Sequence, residues 1–249
     1  MKTEFQYGIC DFALVSDNLI NCRNIEKLPE NAKSIITFAF PYKIKAEKPL
    51  NISRYAAVAD YHNIVPKYLQ NIANELKQKY PNNEFVVFCD NSPIPEVQAG
   101  VLGGLGVRGK NGLLINDKYG SFVFLGEIVT DLYIKSENTY NECINCGACL
   151  KACPVKLNKE NCLSAVTQKK KELSETEKEL IKKYGSVWGC DICSEVCPMN
   201  KGKEFTNVKE FIESYRNEYT LNESIENRAY AWRGEGVIKR NYNILCGKK

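Results

Sequence analysis

Cys143-Ile144-Asn145-Cys146-Gly147-Ala148-Cys149-Leu150-Lys151-Ala152-Cys153-Pro154 sets four thiols close together and closes on Cys-Pro. A second run, Cys190-x2-Cys193-x3-Cys197-Pro198, follows it, with Cys162 standing between the two. Eight thiols in about a fifth of the chain match the spacing that holds two 4Fe–4S clusters. Each cubane takes four thiolates. A tight run presents three of them from one loop, and the final Cys-Pro typically reaches across to the other cluster. By that logic Cys143, Cys146, Cys149 and Cys197 hold one cluster, and Cys153, Cys162, Cys190 and Cys193 hold the other. Zinc sites also use Cys-x2-Cys pairs, but two runs that both end in Cys-Pro favour iron–sulfur. Such a chain moves electrons.

The 249 residues, 44% of them hydrophobic, suffice for one large core and a small satellite domain. The formal charge of +4 counts thiols as neutral, and cluster-bound thiolates would draw it down. A balance this mild does not by itself indicate nucleic acid. Cys10, Cys22, Cys89 and Cys246 are scattered without a disulfide-like framework. Unpaired thiols and iron–sulfur ligands both suit a reducing compartment. The start, Met1-Lys2-Thr3-Glu4-Phe5, lacks the apolar stretch of a signal peptide. No apolar run approaches the roughly 20 residues of a membrane span. The expectation is a cytoplasmic protein with no membrane association.

Outward from the cysteines, the pattern is mixed. Ser34–Phe40 is a near-continuous apolar run stopped by Pro41, which reads as a buried strand. From about Ala56 to Tyr80 apolar side chains recur at helical spacing, and Pro81-Asn82-Asn83 ends that helix. Glu84–Cys89 is the next strand, and Pro93–Leu102 a short helix. Strands near Leu113–Asn116 and Ser121–Thr130 flank Asp117-Lys118-Tyr119-Gly120 and predict a hairpin. Ser174-x-x-Glu177 is a capping box that opens a helix through Tyr184, with Gly185 closing it. The charged run from Lys169 to Lys183 is most simply its solvated face. Phe205, Phe211, Ile212, Tyr215, Tyr219 and Leu221 suit helices that pack back on the body. The expected fold is α+β: a mixed α/β domain over 1–135, a ferredoxin-like double-cluster domain over 136–203, and a helical tail over 204–249.

Between helix and strand lies Gly103-Gly104-Leu105-Gly106-Val107-Arg108-Gly109-Lys110-Asn111. It contains a literal G-x-G-x-x-G, but the dinucleotide reading needs a strand before it and a helix after it. Here the order is reversed. So many glycines exceed the needs of a turn and suggest backbone lying flat against a large ligand.

At this loop the chain resembles the epoxyqueuosine reductase family. Asp90-Asn91-Ser92-Pro93-Ile94-Pro95-Glu96, Gly104–Asn111 and Gly120–Thr130 carry the resemblance, with Leu28–Ile36, Phe40-Pro41-Tyr42, Arg54-Tyr55-Ala56 and Asp60-Tyr61-His62 upstream. The cysteine pattern fits as well. Two departures stand out: Val107 occupies a position where the family usually has tryptophan, and the chain stops near Arg240-Asn241, where members usually continue into a helical-repeat domain.

The resemblance implies a corrinoid-binding first domain, with cobalamin bound without a protein ligand beneath cobalt. It also implies two 4Fe–4S clusters that deliver electrons, and an epoxide on the wobble base in the tRNA anticodon region as substrate. The cofactor-contacting residues would be Gly104, Gly106, Arg108, Gly109, Lys110 and Asn111. For Arg108 and Lys110, corrin amides, a phosphate and solvent remain open as partners. Asp90 matches the family's proposed proton donor, a role for which burial beside an apolar macrocycle can keep a carboxyl protonated. Its sequence context also suits a turn cap before Pro93. His62, the one histidine of the chain, suits an active-site hydrogen bond. Asp60 can act with it only if both sit at a helix start. Tyr55 reads as packing, and Cys89 as a core thiol on the face opposite Asp90. The reading is an oxidoreductase that converts epoxyqueuosine to queuosine, served by an electron donor such as a ferredoxin or flavodoxin. The alternatives are a corrinoid iron–sulfur reductase with another substrate, one that reactivates a corrinoid protein, or a plain two-cluster electron carrier.

Overall fold

A computed structural model describes residues 3–46, 50–136 and 140–247. Met1 and Lys2, part of the Met1–Phe5 start, and the last two residues of the tail lie outside the described residues. The chain divides into two compact units, residues 1–41 with 62–145, and residues 42–61 with 146–249.

The first unit is built on a four-stranded antiparallel sheet. Its strands are β1 (Gln6–Asp11), β2 (Ser34–Pro41), β3 (Phe85–Phe88) and β6 (Val123–Thr130), in the order β1-β2-β6-β3. Every residue of β2 is buried, as its unbroken apolar run requires of a strand covered on both faces. Helix α1 (Tyr61–Lys79) covers one face. A Cβ on Gly126 would come 2.7 Å from Leu69 and 2.9 Å from Val65 of that helix, and Tyr68 stacks with Phe5 and Phe40. The short helix α2 (Glu96–Leu102) lies on the other face. There Val101 packs with Ala39, and Ala99 with Cys10, Ile35, Phe88 and Val129.

Two small strands, β4 (Val107–Arg108) and β5 (Leu114–Ile115), pair with each other. The predicted hairpin is therefore corrected. The turn itself closes, with Asn116 and Gly120 exchanging amide–carbonyl bonds of 2.9 and 2.8 Å. The arms then part: β5 pairs with Val107–Arg108, while β6 pairs with β2 along its length and with β3 over Glu127–Thr130. Strand β1 was missing from the sequence reading.

The second unit is helical: α3 (Ala148–Ala152), α4 (Leu163–Thr167), α5 (Glu175–Tyr184), α6 (Ile192–Glu195), α7 (Lys209–Glu213) and α8 (Glu235–Leu245). Its core gathers on Trp188, fully buried, with Ile52, Ala56, Tyr219, Tyr230 and Ile238. The indole N–H donates to the Tyr55 hydroxyl at 2.8 Å, which places Tyr55 in packing, as expected. Ile52 also bridges Trp188 through backbone. The expected capping box is present at Ser174 and Glu177, and Gly185 closes α5 at φ 65°. Among the residues of α5 only Ile181 is buried, and Lys178–Glu175 and Lys182–Glu179 pairs line its outer face. Of the tail's apolar residues Phe211 and Tyr219 are buried, whereas Phe205 and Ile212 stay about half exposed. No described helix is long and apolar enough to cross a membrane.

Truncating the indole leaves a cavity and removes a donor to the Tyr55 hydroxyl. Trp188→Ala should therefore lose about 3–5 kcal/mol in urea unfolding, against about 1 kcal/mol for removing the α5 cap with Ser174→Ala.

Candidate active site

The site begins where β3 leaves the sheet. Phe88 still pairs with Glu127, and two residues on the backbone turns left-handed at Asp90 (φ 49°) and Asn91 (φ 38°). Asp and Asn are the non-glycine residues that best tolerate this region. Neighbours hold the turn. Asn24 Nδ2 donates to the Asn91 carbonyl at 3.0 Å and Cys22 Sγ approaches it at 3.4 Å. The Ile20 amide donates to the Pro93 carbonyl at 2.8 Å. Asp90 Oδ1 accepts from the Asn91 amide at 2.9 Å, which leaves Oδ2 to meet His62 Nε2 at 2.8 Å. His62 is the second residue of α1. Both side chains are accessible, 37% for His62 and 56% for Asp90. The protein alone therefore does not provide the burial that the proton-donor reading expects.

The structure thus joins His62 to Asp90. Asp60 belongs to the other unit, where its amide donates to the Asn227 carbonyl at 2.9 Å. Cys89 is half-buried, its thiol facing the Leu125 carbonyl, so the core-thiol expectation is corrected: the strand has ended and no longer fixes its face.

Two carboxyls behind the turn escaped the sequence reading. Glu127 is 0% exposed and points to the α2 face of the sheet, opposite Thr37 and Phe88. Among the described residues neither of its carboxyl oxygens has a standard hydrogen-bond partner, and the facing Thr37 hydroxyl has none either. The Ser92 hydroxyl stands close to Glu127; its oxygen accepts the Ile94 amide, which leaves its O–H to face the carboxyl. Burial, then Glu96, raise the Glu127 pKa well above the ordinary carboxylate value. A buried carboxyl in this position neutralises rather than carry an unpaired charge. Glu96, the first residue of α2, lies near the Asp90 turn; burial and then the Asp90 charge push its pKa up to about 7. The available signal was Glu127 itself, a charged residue inside the apolar stretch Val123–Thr130.

The glycine-rich loop has two kinds of position. A Cβ on Gly106 would run into the Ile115 carbonyl, and one on Gly109 would meet Asn111 Oδ1. Gly106 and Gly109 are thus accounted for by close packing within the loop. Gly104 differs: it has φ 77° and open space at its Cβ. Gly104, Arg108, Lys110 and Leu113 are the exposed positions. Lys110 Nζ donates to Asn145 Oδ1 at 2.9 Å, and Arg108 Nη1 to the Tyr140 hydroxyl at 3.3 Å. An open face carrying cationic donors and an apolar side chain fits a flat, amide-rimmed macrocycle. The same loop grips the first cysteine run: the Arg108 amide donates to the Asn141 carbonyl, and the Cys143 amide to the Arg108 carbonyl at 3.0 Å.

In the second unit the thiol of Cys190 lies within electrostatic reach of Cys162 and Cys193, while burial is the main cause raising its pKa, to about 12. These are three of the four ligands expected for one cluster. Metal binding would reverse that preference for the neutral thiol, since only thiolates ligate. Helix α3, which follows Gly147 at φ 75°, packs on α6, and so brings the two thiol runs together. Among the described residues no three His, Cys, Asp or Glu side chains converge as on a single ion. A cubane holds its thiolates on separate iron atoms.

Residues 23–91 match the family model described as epoxyqueuosine reductase QueG, DUF1730. Residues 142–200 match the 4Fe-4S double cluster binding domain. The epoxyqueuosine reductase of Lactococcus garvieae (strain Lg2) is 33% identical over 248 residues, covering 88% of this chain and 70% of that protein. The chain belongs to the epoxyqueuosine reductase family. A second family member, from Listeria monocytogenes serovar 1/2a, is 32% identical, covering 86% of this chain and 63% of that protein. The solved epoxyqueuosine reductase of Streptococcus thermophilus superposes with a TM-score of 0.78 at 27% identity, over 96% of this chain and 76% of that one. The chain thus spans roughly two thirds of the length of the curated epoxyqueuosine reductases it matches. The family models cover both Asp90 and the eight expected ligands.

Two outcomes follow. Glu96 and Glu127 bind protons more tightly folded than unfolded, so their contribution to stability falls as pH rises above the ordinary value of 4.5. Glu127→Gln should therefore gain stability over the parent as pH is raised from about 5 to about 8, measured by urea unfolding. Anaerobic analysis of the reconstituted chain should find about eight iron and eight labile sulfide, and Cys162→Ala about half of each.

Proposed function

We propose that this chain reduces epoxyqueuosine to queuosine in the anticodon region of tRNA, with Asp90 as the proton donor and His62 as its hydrogen-bond partner. The observation that carries the reading is the His62 Nε2–Asp90 Oδ2 contact of 2.8 Å at a strained turn. It lies in a chain whose family acts on an epoxide and whose residues 142–200 match a double-cluster domain. The overall change takes two electrons and two protons, opens both C–O bonds of the epoxide and releases the oxygen as water.

Asp90 gives one proton to the departing oxygen. Asp90 sits at a left-handed turn, and the accessibility of its carboxyl leaves room for a substrate to approach. His62 accepts from Asp90 when the carboxyl is protonated and donates to it when ionised, so the pair can keep a proton at Oδ2. Gly104, Arg108, Lys110 and Asn111 would hold cobalamin, with Gly106 and Gly109 letting the loop fold tightly enough to present them. When bound there, that group supplies a strongly reducing cobalt centre. The Arg108–Cys143 backbone bond ties the loop to the first thiol run, which suits electron delivery from the clusters. An external donor such as a ferredoxin or flavodoxin would refill them in a reducing, cytoplasmic setting.

Asp90→Asn keeps the shape of the side chain but cannot give a carboxylic proton. Turnover of epoxyqueuosine-containing tRNA should fall by roughly two to four powers of ten, with iron content and cobalamin affinity matching the parent. Near-normal turnover would reduce Asp90 to a turn residue.

A further inference from the structure

Cys153 differs from the other expected cluster ligands. It is buried, at 9% exposure, whereas the other seven are half-buried or exposed. The chain also holds it at three of its atoms. Its amide donates to the Cys149 carbonyl at 3.0 Å, and its carbonyl accepts the Lys156 amide at 3.2 Å. Its Sγ accepts the Leu157 amide at 3.3 Å. A neutral thiol sulfur is a weak acceptor. An N–H aimed at it suits a sulfur that carries negative charge, as a cluster-bound thiolate does.

The local backbone explains how that amide arrives there. Lys156 and Leu157 are consecutive left-handed residues, at φ 52° and 62°. Neither is Gly, Asn or Asp, the types that adopt this region readily, so the turn is kept at a cost. Asn158 continues the reversal. Its amide donates to the Val155 carbonyl at 2.9 Å, and its side-chain oxygen accepts the Asn161 amide at 3.1 Å. The chain then reaches Cys162, which is expected to share the cluster of Cys153. One strained turn thus connects two ligands and places a donor on the first of them.

We propose that the left-handed Lys156–Leu157 turn holds the Leu157 N–H on Cys153 Sγ, and that this bond raises the reduction potential of the cluster held by Cys153, Cys162, Cys190 and Cys193. Uptake of one electron makes a cluster more negative, and a donor at a ligand sulfur stabilises that charge. Burial of Cys153 acts the other way, since a low-dielectric surrounding disfavours added charge, but it also strengthens the hydrogen bond. Removing the amide alone therefore isolates one effect from the other. The first run is tied to the glycine-rich loop through Cys143, which suits its cluster to discharge. A raised potential suits the other cluster to be filled first by the external donor. The inference rests on the reading of Cys153 as a ligand.

The test exchanges the Leu157 N–H for an ester oxygen, by cell-free incorporation of the α-hydroxy acid of leucine at that position. The side chain stays and only the donor goes. Parent and ester protein, cluster-loaded and without cobalamin or tRNA, are titrated anaerobically with dithionite, which supplies one electron to each cluster. Electron paramagnetic resonance follows the reduced clusters. At a fixed potential the ester protein should hold on the order of tenfold less of one cluster in the reduced form, a fall of about 59 mV in its midpoint. The other midpoint should not move. Parent protein labelled with 15N-leucine gives a reading that needs no ester. One reduced cluster should show hyperfine coupling to a leucine amide nitrogen, and Leu157→Ile grown in the same medium should lose it.

Equal midpoints in parent and ester protein would overturn the proposal. So would the absence of the nitrogen coupling, or a fall shared equally by both clusters. An ester protein that keeps only about half its iron would make the bond a device for holding the cluster, not for setting its potential, and would overturn it as well. Cys153→Ala keeps the two readings apart. A full iron complement in that variant would fail the ligand assignment; loss of about half the iron, with unmoved midpoints in the ester protein, would fail this inference alone.

Discussion

The pairing of β6 between β2 and β3 is the constraint on which the site depends. It sets Phe88 opposite Glu127 and Glu127 opposite Thr37, so the chain leaves the sheet at a fixed place and Asp90 falls at the first left-handed position. Side chains alternate faces along a strand, and a slip of one residue would move Glu127 to the α1 side. There the small Gly126 position already admits Val65 and Leu69 closely, and an unpaired carboxyl would meet only apolar partners. The cost of that error is what makes the register secure. A buried carboxyl, expensive in itself, thus helps to specify where the Asp90 turn stands.

The same unit holds the other half of the chemistry. The glycine-rich loop is shaped from beneath by Ile115 and Leu113 and is bound along its edge to Asn141 and Cys143 through backbone. The loop and Cys143, the first thiol of its run, are thus joined through backbone. The proposed corrin contacts and the first cluster ligand share a scaffold rather than meet by chance, an arrangement that short-range electron delivery needs.

Much of this was legible in the sequence, for reasons that can be named. The thiol runs carry their chemistry in spacing alone. Strand β2 and helix α1 show clear hydrophobic patterns, and the α5 capping box is a local bond that owes little to the rest of the fold. The failures are non-local. The Asp117–Gly120 turn is a true turn, but its first arm pairs with Val107–Arg108 just upstream and its second with the distant β2. Gly106 and Gly109, which read as ligand contacts, are explained by close packing on Ile115 and on Asn111 and Leu113. Residues 42–61 join the second unit because Ile52 bridges Trp188, a contact no local pattern announces. Glu96 was read only as part of the Asp90–Glu96 stretch, and only the fold sets its carboxyl near the Asp90 turn.

The central claim is that this chain acts on epoxyqueuosine in tRNA. The direct test is to express it in a bacterial strain deleted for its own epoxyqueuosine reductase and supplied with cobalamin, then digest the tRNA and analyse its nucleosides by mass spectrometry. The account predicts that queuosine appears at the expense of epoxyqueuosine, and that an Asp90→Asn copy leaves epoxyqueuosine in place. Epoxyqueuosine that persists unchanged, although the parent chain is made and carries its clusters, would contradict it.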